Sequence, residues 1–293
     1  MIIFIAGTEG RGLFRIAVKH TKNLLHSAYF LNYESRIDHR VQQCNLLVDS
    51  GGYSARMHGH QVDVTKYARF LNQNKIKLAF NLDTNDPEET LQNQALLDAA
   101  CPRTVIIPVY HYSDFIERKW RSLIDRYVER YHFIAIGGVA GTQMPEKGLQ
   151  AFLSYVFSKT TDKIRVHGLG ITRDDLMLRY PFYSVDSTSW LGPMKWGSTK
   201  RGIRPGNWLD FYTSEVPYKR RLHEELHYVM ETEARITRIW KARGVDWDEL
   251  DAAQRGIDRP AIEPAAEGSM ELQGARQEDA RRPGGEPTEE RTS

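Results

Sequence analysis

Seven short apolar runs punctuate the chain, each ending in small or polar residues: IIFIAG (2–7), NLLVDSGG (45–52), KLAFNLDT (77–84), TVIIPVYH (104–111), HFIAIGGVA (132–140), KIRVHGLGI (163–171) and FYSVDST (182–188). Near-continuous apolar runs rich in Val and Ile read as strands buried on both faces, which is the condition of a parallel sheet. Amphipathic stretches lie between them: 64–75, 87–100, 115–131 and 146–159. Strand and helix therefore alternate with short links, the pattern of an α/β fold. Seven strands, with an eighth expected around 193–198, suit a (β/α)8 barrel; a doubly wound open sheet is the alternative. In a barrel the polar residues at the C-terminal strand ends converge on one mouth. Asp49, Asp83, His111, Gly137, Gly138, His167, Gly168 and Asp186 all fall at such ends.

The pattern changes after residue 205. Residues 1–205 are read as the barrel, and 206–251 as a helical extension packing on it, interrupted at Pro217. Residues 252–293 turn to Pro, Gly, Ala, Glu and Arg with few large apolar side chains. Such a segment buries too little surface to offset its ordering entropy, so a disordered tail is expected. The net charge of +2 averages unlike parts, because 252–293 hold six Arg against nine acidic residues, leaving 34 basic and 29 acidic residues in the body. Two distant cysteines, Cys44 and Cys101, make neither a disulfide framework nor a four-ligand zinc site. No run approaches the ~20 apolar residues of a membrane span. The start MIIFIAGTEG lacks a secretory cleavage signature. A cytoplasmic protein without a membrane partner is expected.

The residues able to carry chemistry begin with Asp49-Ser50-Gly51-Gly52-Tyr53. A strand-end carboxylate is followed there by glycines that let backbone approach a ligand, and by an aromatic face for stacking. Either this is a substrate site or a tight turn with a helix cap. Asp186 supplies a second carboxylate across the mouth. Two carboxylates around an acetal-like C–N bond can divide nucleophilic attack from proton transfer. Asp83 is a third acid, able to accept from the N–H edge of guanine. His111 and His167 end strands and are expected to bind substrate or line the pocket, while His58-Gly59-His60 reads as a polar loop. Lys195, Lys200, Arg201 and Arg204 lie among Trp190, Trp196 and Trp208, a basic-aromatic mixture suited to a nucleic-acid backbone beside an unstacked base.

In this order, Asp49 to Tyr53, Asp83, Gly137-Gly138, Gly168-Leu169-Gly170 and Asp186 resemble the tRNA-guanine transglycosylase family over about residues 45–190. The resemblance implies a (β/α)8 barrel that exchanges bases through a covalent glycosyl intermediate on Asp186. Asp49 would be the general acid/base. Asp83 and the Gly137-Gly138 backbone would read guanine, with Tyr53 stacking on it. The chain departs from the family in lacking cysteines after Cys101 for the structural zinc. It also carries Ser54 and Val109-Tyr110-His111 where the family has Gln and Gln-Gly. These departures are closer to the zinc-free branch that inserts 7-deazaguanine bases into DNA. The expectation is DNA (or tRNA) and a 7-deazaguanine base as substrates, no cofactor and no metal, with a homodimer or accessory proteins compatible. A barrel metal-dependent hydrolase or lyase built on the Asp and His cluster is the competing class, followed by a catalytically silent nucleic-acid binder.

Overall fold

A computed structural model describes residues 1–139, 144–160, 164–196 and 215–248. Its centre is a single parallel sheet. The strands are β1 (Ile2–Ala6), β2 (Asn23–Ser27), β3 (Asn45–Asp49), β4 (Leu78–Phe80), β5 (Val105–Ile107), β6 (Val109–His111), β7 (Phe133–Gly137), β8 (Arg165–Gly168) and β9 (Ser184–Ser187). Their order is β5-β4-β3-β2-β1-β9-β8-β7-β6. The two ends of that order, β5 and β6, are consecutive segments separated only by Pro108, so the sheet is nearly closed into an eight-position barrel. Proline lacks a backbone donor and interrupts a ladder. Here β5 pairs with β4 and β6 pairs with β7. The Pro108 carbonyl still accepts from Ala135 N–H at 2.8 Å, and the Ile107 carbonyl from Asn81 N–H at 2.9 Å.

The eighth strand position is β2; of the 193–198 segment, the residues up to Trp196 belong to a short helix, Gly192–Trp196, and the rest lies outside the described residues. Asn23–Ser27 (NLLHS) is brief and bounded by polar residues, which masks its strand character in the sequence. Its neighbours supply what its composition does not, since it pairs in parallel with both β1 and β3. The helices between the strands include α1 (Arg11–Ala17), α2 (His39–Gln42), α3 (Gly52–Met57), α4 (Val64–Gln73), α5 (Pro87–Ala100), α6 (Tyr112–Ile116), α7 (Leu123–Arg130), α8 (Glu146–Thr160), α9 (Asp174–Arg179) and α10 (Gly192–Trp196), with α11 (Glu215–Ala242) after them. Two starts follow from side-chain caps. Asp63 accepts from Thr65 N–H and Lys66 N–H, and Asp86 accepts from Glu88 N–H with Pro87 at the first helical position. The stretch 115–131 is two helices rather than one, α6 and α7. Pro217 does not break α11, because it sits in the first turn where no N–H is required.

Alternation along the strands separates two apolar layers. Phe4, Ala6, Leu25, Leu47, Phe80, Ile107, Val109, Phe133 and Ala135 fill the barrel, while Ile3, Ile5, Leu24, Val48, Ile106, Ile134, Val166 and Val185 pack outward against helices. Helix α11 packs against β1, α1 and α9, burying Leu222, Leu226, Val229, Ile236 and Trp240. Its Glu233 carboxylate accepts from Ile3 N–H at 2.6 Å. Both cysteines are free thiols, Cys101 buried and Cys44 half-buried. Among the described residues no helix is long and apolar enough to cross a membrane.

Candidate functional site

Period-two alternation delivers the site. Leu47, Val109 and Ala135 line the barrel interior; two residues further along the same strands come Asp49, His111 and Gly137, at the C-terminal rim. Asp186 pairs in register with interior Phe4, and His111 with Gly137. The three acids of the mouth occupy unlike environments.

Asp186 is held by one oxygen. Its Oδ1 accepts from Gly170 N–H at 2.7 Å and from His167 Nε2 at 3.2 Å. No hydrogen bond from the described residues reaches Oδ2, and the side chain remains 13% exposed. His167 is fully buried beneath it, between the rings of Phe80 (4.8 Å) and Phe4 (6.1 Å), with its Nδ1 2.8 Å from the Ser184 hydroxyl. It therefore orients Asp186 from below rather than facing the mouth. Gly168 is packed against Ile171 and Phe182, where an added Cβ would lie 2.7 and 2.9 Å from their side chains.

Asp49 is pushed up to about 7. Burial contributes most, then the charges of Asp83 and Asp186, against a hydrogen bond from Gly51 N–H. That N–H lies 3.0 Å from Asp49 Oδ2. Gly51 has φ +77°, and a Cβ there would be 2.3 Å from Tyr29 Cβ, so the turn after Asp49 needs glycine on both counts. Ser50 is buried and shapes the same turn: Tyr33 donates to its carbonyl at 2.8 Å, and its hydroxyl accepts from Gly52 N–H at 3.3 Å. Gly52 packs close to the Asp83 carbonyl, while Tyr53 stands out on α3 with 65% of its surface exposed.

Asp83 is held below the ordinary carboxylate value. Burial opposes its charge, but the hydrogen bond and charge of His111 outweigh it, with Arg56 adding to them. His111 Nε2 lies 3.0 Å from Asp83 Oδ2, and Arg56 donates to the Asp83 carbonyl at 2.8 Å. Gly138 turns the chain away from β7 with φ +73°. Lys195 falls in α10, but its side chain lies outside the described residues, as do Lys200, Arg201 and Arg204 altogether. His58 engages the Ser54 carbonyl one turn back, and His60 meets the Tyr29 hydroxyl.

Two rim residues went unread in the sequence. Glu9, just beyond β1, accepts from Ser27 N–H at 2.9 Å, and burial raises its carboxyl above the ordinary value. Arg56 sits one turn into α3. The strand-end rule that selected Asp49 applies to IIFIAGTEG too and would have found Glu9. Arg56 had no comparable signal, because its importance arises from α3 reaching the segment after β4, where it meets the Asp83 carbonyl. Among the described residues, no group of three or more His, Cys, Asp or Glu side chains is placed to hold a metal ion. No family model matches the chain, and no curated protein matches it.

Proposed function

We propose that this chain is a cytosolic DNA-guanine transglycosylase that exchanges guanine for a 7-deazaguanine base such as the 7-cyano form. The observation that carries this reading is the division between two acids of one mouth. Asp186 is locked by Oδ1, with no hydrogen bond from the described residues to Oδ2, and Asp49 takes up a proton near neutrality. Acids whose environments set them apart in this way suit distinct nucleophilic and proton-transfer roles.

In the first half-reaction Asp186 Oδ2 forms a bond to C1′ of the target nucleotide as the C1′–N9 bond breaks. The bonding pair leaves with guanine, which takes a proton from Asp49. In the second, the incoming base gives its ring N–H proton to Asp49 while its nitrogen attacks C1′ and releases Asp186. Asp83, bound to His111 through Oδ2, would accept from the purine N–H edge through Oδ1, and Tyr53 offers the exposed ring for stacking. The mouth admits a base only when it is flipped from its stack. Lys195, Lys200, Arg201 and Arg204 would hold the phosphates. The guanine and deazaguanine identities rest on the motif order resembling the transglycosylases. DNA is preferred because the chain lacks the cysteines of the tRNA enzymes' zinc.

The test is incorporation of labelled guanine into DNA and into tRNA, with denaturing gels to trap the covalent adduct. Wild type should label DNA and form the adduct. Asp186→Asn should form none and lose about 10³-fold or more in exchange. Label entering tRNA alone would transfer the same chemistry to that polymer. Label entering neither would overturn the base-exchange reading.

A further inference from the structure

Asp83 is gripped from two sides. His111 lies against its Oδ2, and Arg56 donates to its main-chain carbonyl. The paired side chains are 16% and 13% exposed, sheltered from bulk water yet open to a ligand. Three further features fix His111. Its own N–H donates to Asp114 Oδ2 at 2.8 Å, it closes β6, and its ring fills the space beside Gly137. A Cβ at 137 would lie 2.6 Å from the ring Cδ2 and 2.7 Å from Nε2, so the pair exists because position 137 has no side chain.

We propose that His111 and Arg56 are positioning residues that hold Asp83 as a fixed, ionised acceptor and thereby leave Asp49 as the group that carries the exchangeable proton. The inference deepens the base-exchange reading and rests on it only for the ligand. Its physical basis is competition. Asp49, Asp83 and Asp186 share one mouth, where neighbouring carboxylates resist joint ionisation. The acid with the nearest cation keeps its charge, and that charge holds the proton on its neighbour. Burial works against the charged form of His111, yet Asp83 and then Asp114 raise it, with Arg56 opposing. Asp83 is lowered and Asp49 raised. Tyr33 and Tyr67, which also face Asp49, are held neutral by burial and by that acid's charge.

The experiment is a pH titration of the full chain by NMR with 13Cγ-labelled aspartate, using Asp49→Asn and Asp83→Asn to assign the signals. In the wild type Asp83 should ionise below the ordinary aspartate range and Asp49 near 7. In His111→Gln the two midpoints should move toward each other and titrate as a coupled pair, and His111→Lys should restore the wild-type order. Arg56→Gln should give a smaller shift in the same direction, a second route should His111→Gln not fold. On activity, His111→Gln should raise KM for the incoming base about tenfold with a smaller change in kcat. An Asp83 midpoint unchanged in His111→Gln, or one at or above the ordinary value in the wild type, would overturn the proposal. Midpoints that move as expected in a protein that exchanges no base would leave the positioning role standing and remove the base-exchange reading.

Discussion

Asp49 is an acid whose folded state prefers the proton, and the sign of its effect on stability follows. Between the ordinary aspartate value of 3.8 and about 7, the unfolded chain has released the proton while the folded chain retains it. The folded state binds more protons across that window, so Asp49 costs stability progressively as pH rises through it. Asp49→Asn should therefore raise the melting temperature more at pH 8 than at pH 5. The differential should be on the order of 2 kcal/mol after allowing for partial solvent access at the mouth. Equal gains at both pH values would show that Asp49 ionises normally. The same proton sets the activity limb, with guanine departure expected to slow as pH rises past about 7. That Asp49, Asp83, His111 and Asp186 lie at the mouth was legible in the sequence, because strand ends are marked by their apolar runs; Arg56 was not, and His167 is buried beneath Asp186 instead. How they divide the charge was not legible either. The Asp83–His111 contact joins the segment after β4 to the end of β6, and the burial of His167 under Asp186 depends on a register that no local pattern encodes.

At the scale of elements, apolar runs and amphipathic stretches carried the reading furthest. The runs ending at Asp49, His111 and Asp186 and the helices opened by Asp63 and Asp86 follow from local chemistry. Local chemistry failed where tertiary pairing decides. Asn23–Ser27 is a strand because strands flank it on both sides, and 192–196 is helical where the strand count led to an eighth strand. The β3–α3 turn gives a sharp test. Gly51→Ala adds a positive-φ strain and a 2.3 Å approach to Tyr29, so it should destabilise by about 2–4 kcal/mol, read as a lower urea midpoint. Gly59→Ala, with a positive φ but nothing near the added carbon, should cost about 1 kcal/mol. Equal costs would mean that the backbone conformation, not the crowding by Tyr29, governs the turn.

Across the whole molecule, α11 is wall rather than ornament. It covers β1 and contributes buried Leu222, Leu226, Val229, Ile236 and Trp240, so a chain ending at residue 205 should fail to fold and should be degraded rapidly in limited proteolysis. Glu233 ties the helix to the first strand, and burial lifts its carboxyl above the ordinary value. Removing it with Glu233→Ala leaves Ile3 N–H without that acceptor and should cost about 1–3 kcal/mol in chemical denaturation, more than Glu233→Gln. The interruption at Pro108 has its own consequence. The fifth wall position is two short pieces bonded to different neighbours, so the ring has a seam, and Asp83 and His111 stand on opposite sides of it. Their ion pair works as a clasp across that seam. A ligand that competes for Asp83 would loosen the clasp, and hydrogen exchange at the Asn81 and Ala135 amides flanking the seam should register it.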